Sequence, residues 1–352
     1  MRILYVDISL NGHRIGYIKA FQKLDNDAFC LIPKKTPEIK MHQFEIQSEF
    51  KKKRSFNSYR AFIFEIASLV EEHKIDTVHI LCGDALYRYF GIHLDKIGCD
   101  LVITYHHMQF NFIKKISIRQ LFKYSKHGVV HTASLFDTLA KIGVQNKHHI
   151  EYPMLDEISQ LTVTEAKGKF GIKDADIVIG VIGGTQKYKG LDVLIKALNT
   201  INSRCTLLIA GVVREYDEQY IRRNLRNNNI NLALKLRGLT DMEFADAIQA
   251  SDIIVLPYKK EFDGASGPLV SGIFHKKIIL ASNHGSLGRL VNSFELGKTF
   301  ESENACSLAT ILEMMLKNLP KISQKALEYA DDVNVENFLK HYCNLYSKEE
   351  FL

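Results

Sequence analysis

Two glycine-bearing loops hold the residue types best able to do chemistry. The first runs Val181-Ile182-Gly183-Gly184-Thr185-Gln186-Lys187-Tyr188-Lys189-Gly190: an apolar run, a glycine pair, two lysines, and then a helical pattern from Leu191. Glycine lets backbone N–H groups approach a ligand closely, a helix N-terminus attracts anions, and lysine adds a positive point charge, so the loop suits a diphosphate. No Gly-Lys-Ser/Thr closes it as in a P-loop, and the G-x-G-x-x-G dinucleotide fingerprint is absent. A glycine turn with solvated lysines reads the same way. The second loop runs from Pro257 to Gly272 and gathers Glu261, Asp263, Ser266, Gly267 and Pro268 after an apolar run. Pro268 suits a first helical turn, so the N–H groups after it can face an anion. Ordinary turn chemistry would also use Gly and Pro, but acids and serines beside them at a strand end favour a site.

Two further loops belong with these. Thr104-Tyr105-His106-His107 follows an apolar run, and a histidine there can bind a hydroxyl, act as a base near neutral pH, or do no more than cap the strand end. The loop from Gly12 to Gly16 follows the opening run Ile3-Leu4-Tyr5-Val6.

Positioning four such loops requires alternating strands and helices. Strands are predicted at Ile3 to Val6, Cys30 to Ile32, Thr77 to Leu81, Leu101 to Thr104 and Gly128 to His131, with helices such as Tyr59 to Glu72 and Ser134 to Ile142 between them. The pattern loosens from Pro153 to Thr164 and restarts at a helix over Glu165 to Phe170. Strands then fit Ile177 to Ile182, Cys205 to Ala210, Leu234 to Arg237, Ile253 to Leu256, Ile278 to Ala281 and Lys298 to Phe300. Helices fit Leu191 to Leu198, Asp217 to Asn227, Met242 to Ala250, Pro268 to Phe274, Gly285 to Val291 and Ala305 to Lys317. Such alternation implies parallel sheets in two α/β domains, and ligands of open α/β sheets bind at the carboxyl ends of the strands, here in a cleft that the two domains face.

Length and composition agree. A chain of 352 residues suits two domains, and 46% hydrophobic with 24% charged residues suits a folded, soluble chain. No stretch approaches the roughly eighteen apolar residues of a membrane span, and no signal-peptide pattern opens the chain, so the cytoplasm is the expected location. Six scattered cysteines offer neither C-x-x-C nor zinc spacing and read as reduced thiols. The net charge of +6 is uneven: Lys51-Lys52-Lys53-Arg54 form a basic run, and Phe112 to Lys126 interleaves lysine and arginine with Phe112, Ile113, Ile116, Leu121 and Phe122. The second stretch reads either as a basic amphipathic helix suited to an anionic membrane or as a solvated helix face. Basic residues are not gathered with stacking aromatics on one module, which argues against nucleic acid.

Taken together the loops resemble the retaining glycosyltransferases of the GT-B fold, in the large family (glycosyltransferase family 4, group 1) that includes sucrose synthases and bacterial polysaccharide glycosyltransferases. The likeness runs from Met1 to about Tyr346 and is strongest over Ile179 to Leu194, Leu207 to Gly211, Leu234 to Pro257 and Gly267 to Leu290. It implies two Rossmann-like domains, 1–160 on the acceptor side with a final helix over about 335–352 packing back on it, and 165–334 binding the nucleotide-sugar donor. It implies no cofactor and no metal. Gly183, Lys189 and Gly190 match the family's diphosphate-gripping motif, whose arginine is here Gly184, with Lys187 as the proposed substitute. Of the family's two glutamates, Asp263 takes the first place and Ser271 the second, while Glu261 reaches the first role if the loop is offset. On the acceptor side the resemblance places His106, after a strand, as a catalytic residue with Asp263 and Glu261. It assigns Gly12, Gly16, Arg237, Gly267, Leu269, Val270 and Ser271 to donor binding. The implied activity is transfer of a sugar from a UDP- or GDP-sugar to a glycan, lipid-linked or small-molecule acceptor, in surface polysaccharide or glycoconjugate synthesis. Loss of both glutamates motivates an alternative, a weakened nucleotide-sugar-binding scaffold, and a nucleotide-sugar epimerase of similar fold is another.

Overall fold

The computed structural model describes residues 1–10, 13–25, 27–106, 108, 110–262 and 264–347, with only the backbone of His13. The chain divides into two compact units, Met1–Leu155 joined by the segment from Val335, and Asp156–Asn334.

In the first unit the strands are β1 (Ile3–Val6), β2 (Phe29–Ile32), β3 (His42–Glu45), β4 (Thr77–Ile80), β5 (Asp100–Tyr105), β6 (His127–Val130) and β7 (Lys147–His149). Their order is β3-β2-β1-β4-β5-β6-β7, and every pair is parallel. Helices α1 (His13–Gln22), α2 (Phe56–His73), α3 (Phe112–Tyr124) and α4 (Ala133–Lys141) cross between strands. Strand β1 is an apolar run buried along its whole length and β4 is buried throughout, its Thr77 and His79 included, because a parallel sheet covered on both faces leaves no wet side.

The second unit runs α5 (Val163–Lys169), β8 (Val178–Ile182), α6 (Leu191–Leu198), β9 (Cys205–Ala210), α7 (Glu218–Asn224), β10 (Ile230–Lys235), α8 (Asp241–Ala250), β11 (Ile253–Leu256), α9 (Gly267–Phe274), β12 (Ile278–Ser282), α10 (Gly285–Ser293), β13 (Gly297–Phe300), α11 (Ala305–Lys317) and α12 (Gln324–Asp332). Its strand order, β10-β9-β8-β11-β12-β13, is the doubly wound order, and this sheet too is wholly parallel. Each unit is Rossmann-like, as the alternation predicts.

The last helix, α13 (Val335–Tyr346), belongs to the first unit. Buried hydrogen bonds fix it there: Tyr346 Oη meets His79 Nδ1 at 2.6 Å, and Tyr342 Oη meets Thr104 Oγ1 at 2.8 Å. Phe21 of α1 packs edge-on against Tyr342 with ring centroids 4.9 Å apart. Burial holds His79 neutral, with its pKa pushed down to about 3.

Three expectations needed correction. Strands β3 and β7 were not foreseen: both lie at sheet edges, pair on one side only and read His-Gln-Phe-Glu and Lys-His-His, too polar to signal a strand. Strand β10 begins four residues before the predicted Leu234, because Ile230, Leu232 and Leu234 alternate with Asn231, Ala233 and Lys235 along an edge and form no continuous run of large apolar residues. Gly16 lies inside α1 rather than in the loop before it. A Cβ there would come within 3.2 Å of the Leu155 side chain, so the glycine serves helix packing.

Candidate functional site

In the second unit the switch point of the sheet lies between β8 and β11, where strand order reverses and loops diverge, and both foreseen loops leave from it. Gly183 follows β8 with φ of +115°, a conformation that favours glycine, and its N–H donates to Ala210 O at 2.8 Å. Gly211, after β9, approaches so closely that a Cβ on it would stand 1.7 Å from Gly183 O. Gly190 has φ of +69°, and a Cβ there would lie 1.8 Å from Pro257 O. The three glycines thus draw the ends of β8, β9 and β11 together.

Lys189 projects into this junction. Its ammonium would stand 2.6 Å from a Cβ on Gly183, and it lies 5.8 Å from the centroid of the Tyr258 ring. Among the described residues it has no carboxylate partner, and burial pushes its pKa below the usual lysine value, against a smaller opposing effect of Tyr188. The neighbouring lysine is spoken for: Lys259 pairs with Asp192 at 2.9 Å, and its N–H donates to Tyr188 O at 2.8 Å, which ties the two loops together. Tyr188 stacks on Phe262 with centroids 5.4 Å apart, and Tyr258 meets Phe262 edge-on at 4.9 Å. His284, just before α10, bonds Phe262 O through Nε2 at 2.9 Å. A half-buried cation without a carboxylate partner among the described residues, over a glycine-lined strand end and backed by aromatic rings, can hold a phosphate.

The other foreseen residues divide. Gly184 lies in the same loop as Lys189, and a Cβ on it would meet the flexible Gln186 amide first, whose Oε1 is buried without a partner among the described residues. Lys187 is exposed, and its N–H donates to Glu215 Oε2 at 3.1 Å. Glu261 is exposed in the turn before Gly264. Gly267 opens α9 with free space around its Cα. The amides of Leu269 and Val270, expected to face an anion, are taken up by the Ser266 cap: Leu269 N–H donates to Ser266 Oγ and O at 3.4 and 3.1 Å, and Val270 N–H to Ser266 O at 3.2 Å. Both side chains are core. Ser271 is 0% exposed and its hydroxyl has no partner among the described residues, so α9 turns it inward. Arg237 is engaged by Glu243 in a two-pronged ion pair beside the Thr240 cap of α8. Gly12, Asp263 and His107 lie outside the described residues.

At the equivalent strand ends of the first unit, His106 follows β5. Its Nε2–H donates to Leu81 O at 3.0 Å and its backbone N–H to Asp84 Oδ2 at 3.2 Å, so a base here would have to use Nδ1. Tyr17 lies edge-on to it at 5.1 Å and donates its hydroxyl proton to His131 Nε2 at 2.6 Å. Sequence reasoning missed Asp7, which follows β1 and is 1% exposed. Arg14 bonds both its oxygens, at 3.1 and 3.0 Å, and Ser9 N–H donates to Oδ1 at 3.0 Å. Burial nevertheless pushes the carboxyl up to about 6, only partly opposed by Arg14. Its place directly after the first strand was the available signal. The aromatic group Tyr188, Tyr258 and Phe262 was missed because stacking between two loops leaves no periodic trace.

Residues 176–318, within the second unit, match the family model for Glycosyl transferases group 1. No curated protein matches the chain. Among solved structures, HepE of Anabaena in complex with UDP and glucose is similar at 15% identity with a TM-score of 0.74, covering 99% of this chain and 100% of that one. A glycosyltransferase from Rickettsia africae ESF-5 is similar at 17% identity and a TM-score of 0.76, covering 98% and 97%. Sucrose-phosphate synthase from Thermosynechococcus elongatus is similar at 13% identity and a TM-score of 0.77, covering 98% of each chain. Likeness over the whole length of both chains establishes the fold as GT-B.

Proposed function

We propose that this chain is a GT-B glycosyltransferase that moves a sugar from a UDP- or GDP-sugar to a glycan, lipid-linked or small-molecule acceptor. The observation that carries the reading is Lys189: an ammonium held over Gly183, at the switch point of the second sheet, without a counter-ion among the described residues. A nucleoside diphosphate leaving group gains negative charge in the transition state, and a fixed cation in a partly desolvated loop stabilises that charge more than it stabilises the neutral glycosidic bond. The group 1 match over 176–318 and the UDP-bound HepE relative support the donor class. In this reading the second unit binds the donor and the first, with His106, meets the acceptor. Retention of anomeric configuration, catalysis without a metal ion and Lys187 as a second phosphate contact are parts of the same proposal. So are a role in surface polysaccharide or glycoconjugate synthesis and a cytoplasmic location, at the inner membrane face when the acceptor is lipid-linked.

A second reading has its own observation. The inward, unpartnered Ser271 hydroxyl cannot meet a ribose in this conformation, which favours a nucleotide-sugar-binding scaffold with weakened catalysis. Product analysis with a panel of UDP- and GDP-sugars separates the possibilities. A new glycoside supports the transferase, an epimerised donor indicates an epimerase, and tight nucleotide binding without turnover indicates the scaffold.

A further inference from the structure

Helix α3 carries two apolar stripes. Ile118, Leu121 and Phe122 turn into the core of the first unit, whereas Ile113, Ile116 and Tyr124, spaced as one helical face, turn out. Phe112 and Ile113 are 79% and 63% exposed, unusual for side chains of this size. The stripe does not end at the helix. A Cβ on Gly91 would lie 2.8 Å from the Tyr124 ring, which sets exposed Ile92 against the end of α3. Beyond Ile92, the His93 ring stands between exposed Phe56 and Phe64, at 6.2 and 5.8 Å, and Arg60 lies over Phe64 at 5.6 Å. Tyr59 donates to Ile92 O at 2.7 Å and Tyr89 to Arg54 O at 2.8 Å, so α2, the loop at Ile92 and the basic run Lys52-Lys53-Arg54 are held as one surface.

Charge surrounds these apolar groups. Lys52, Lys53, Arg54, Arg88 and Lys123 are exposed, and none has an acidic partner among the described residues. Exposed apolar side chains set among unpaired cations fit a surface that is apolar inside and anionic outside. No helix among the described residues is long and apolar enough to cross a bilayer.

We infer that the first unit docks on an anionic membrane through this surface, with Ile113, Ile116 and Ile92 entering the headgroup boundary and the basic residues meeting lipid phosphates. None of the residues that form this surface is among those assigned to the strand ends at Lys189 and His106, and the inference stands or falls without the transferase reading.

Flotation of the full chain with neutral phosphatidylcholine vesicles, and with vesicles containing phosphatidylglycerol, tests it. Binding should require the anionic lipid and weaken as salt is raised. Replacing Lys53, Arg88 and Lys123 together by Ala should weaken binding by about fivefold per cation removed. The double change Ile113→Ser with Ile116→Ser should weaken it at least tenfold, on the order of the transfer free energy of two exposed apolar side chains. All five positions are at the surface, so melting temperature and the response to nucleotide should stay as in the unaltered chain. Equal binding to neutral and anionic vesicles, or none to either, would overturn the inference. So would a concentration-dependent dimer in sedimentation that the Ile113/Ile116 change abolishes, since that would give the surface to a second copy.

Discussion

The two sheets share one strand order around their switch points but end their first strands differently. After β1 stands Asp7, buried and bonded by Arg14 and by the Ser9 amide. After β8 stands Gly183, with Lys189 above it and no carboxylate partner for that lysine among the described residues. In the first unit the cation at the strand end is compensated from within the fold. In the second, on the proposed function, a bound phosphate supplies the compensation. One architecture thus carries a self-neutralised strand end and, on the proposed function, an anion-binding one.

That contrast can be broken most severely at Arg14. Arg14→Met strands the Asp7 carboxylate, and breaking a buried pair from one side costs about 3–5 kcal/mol. Urea titration should show the loss in full near pH 8. The folded carboxyl titrates near 6, above its ordinary value of 3.8, so it takes up a proton as pH falls through that window, and the loss should shrink by pH 5. A loss independent of pH would mean that Arg14 acts through packing alone. Gly211→Ala comes next: with Gly183 O at 1.7 Å from the new Cβ and φ at +146°, the strand ends must separate, at a cost of about 1–3 kcal/mol in the same titration. Lys187→Ala should weaken nucleotide binding only about threefold by calorimetry, as befits an exposed charge. The smallest effect is expected for Lys189→Met without ligand. Removing an uncompensated, partly desolvated ammonium should leave the melting temperature unchanged or slightly raised, within about 0.5 kcal/mol. A marked destabilisation would show that Lys189 is part of the scaffold and would erase the contrast with Arg14.

Much of this was legible in the sequence, for identifiable reasons. Central strands such as Ile253 to Leu256 are buried on both faces and announce themselves as apolar runs. The turn that carries Gly183, Lys189 and Gly190 was readable because it lies within one strand-to-helix connection. Edge strands β3 and β7 were not, since one-sided pairing asks little of the side chains. The inward turn of Ser271 and the engagement of Arg237 by Glu243 depend on how α9 and α8 rotate against the sheet, which spacing alone does not determine. The Asp7–Arg14 pair was hidden in plain view: seven residues apart, an acid and a base become partners only once α1 folds back over the end of β1.

The central claim is that the second unit's strand ends bind a nucleoside diphosphate through Lys189. Calorimetric titration of UDP and GDP into the unaltered chain and into Lys189→Met tests it most directly. The unaltered chain should bind one of the two nucleotides, and the variant should bind it about tenfold to a hundredfold more weakly, the range for a hydrogen bond to a charged group. Equal affinity in the two proteins, or no binding of either nucleotide to the unaltered chain, would contradict it.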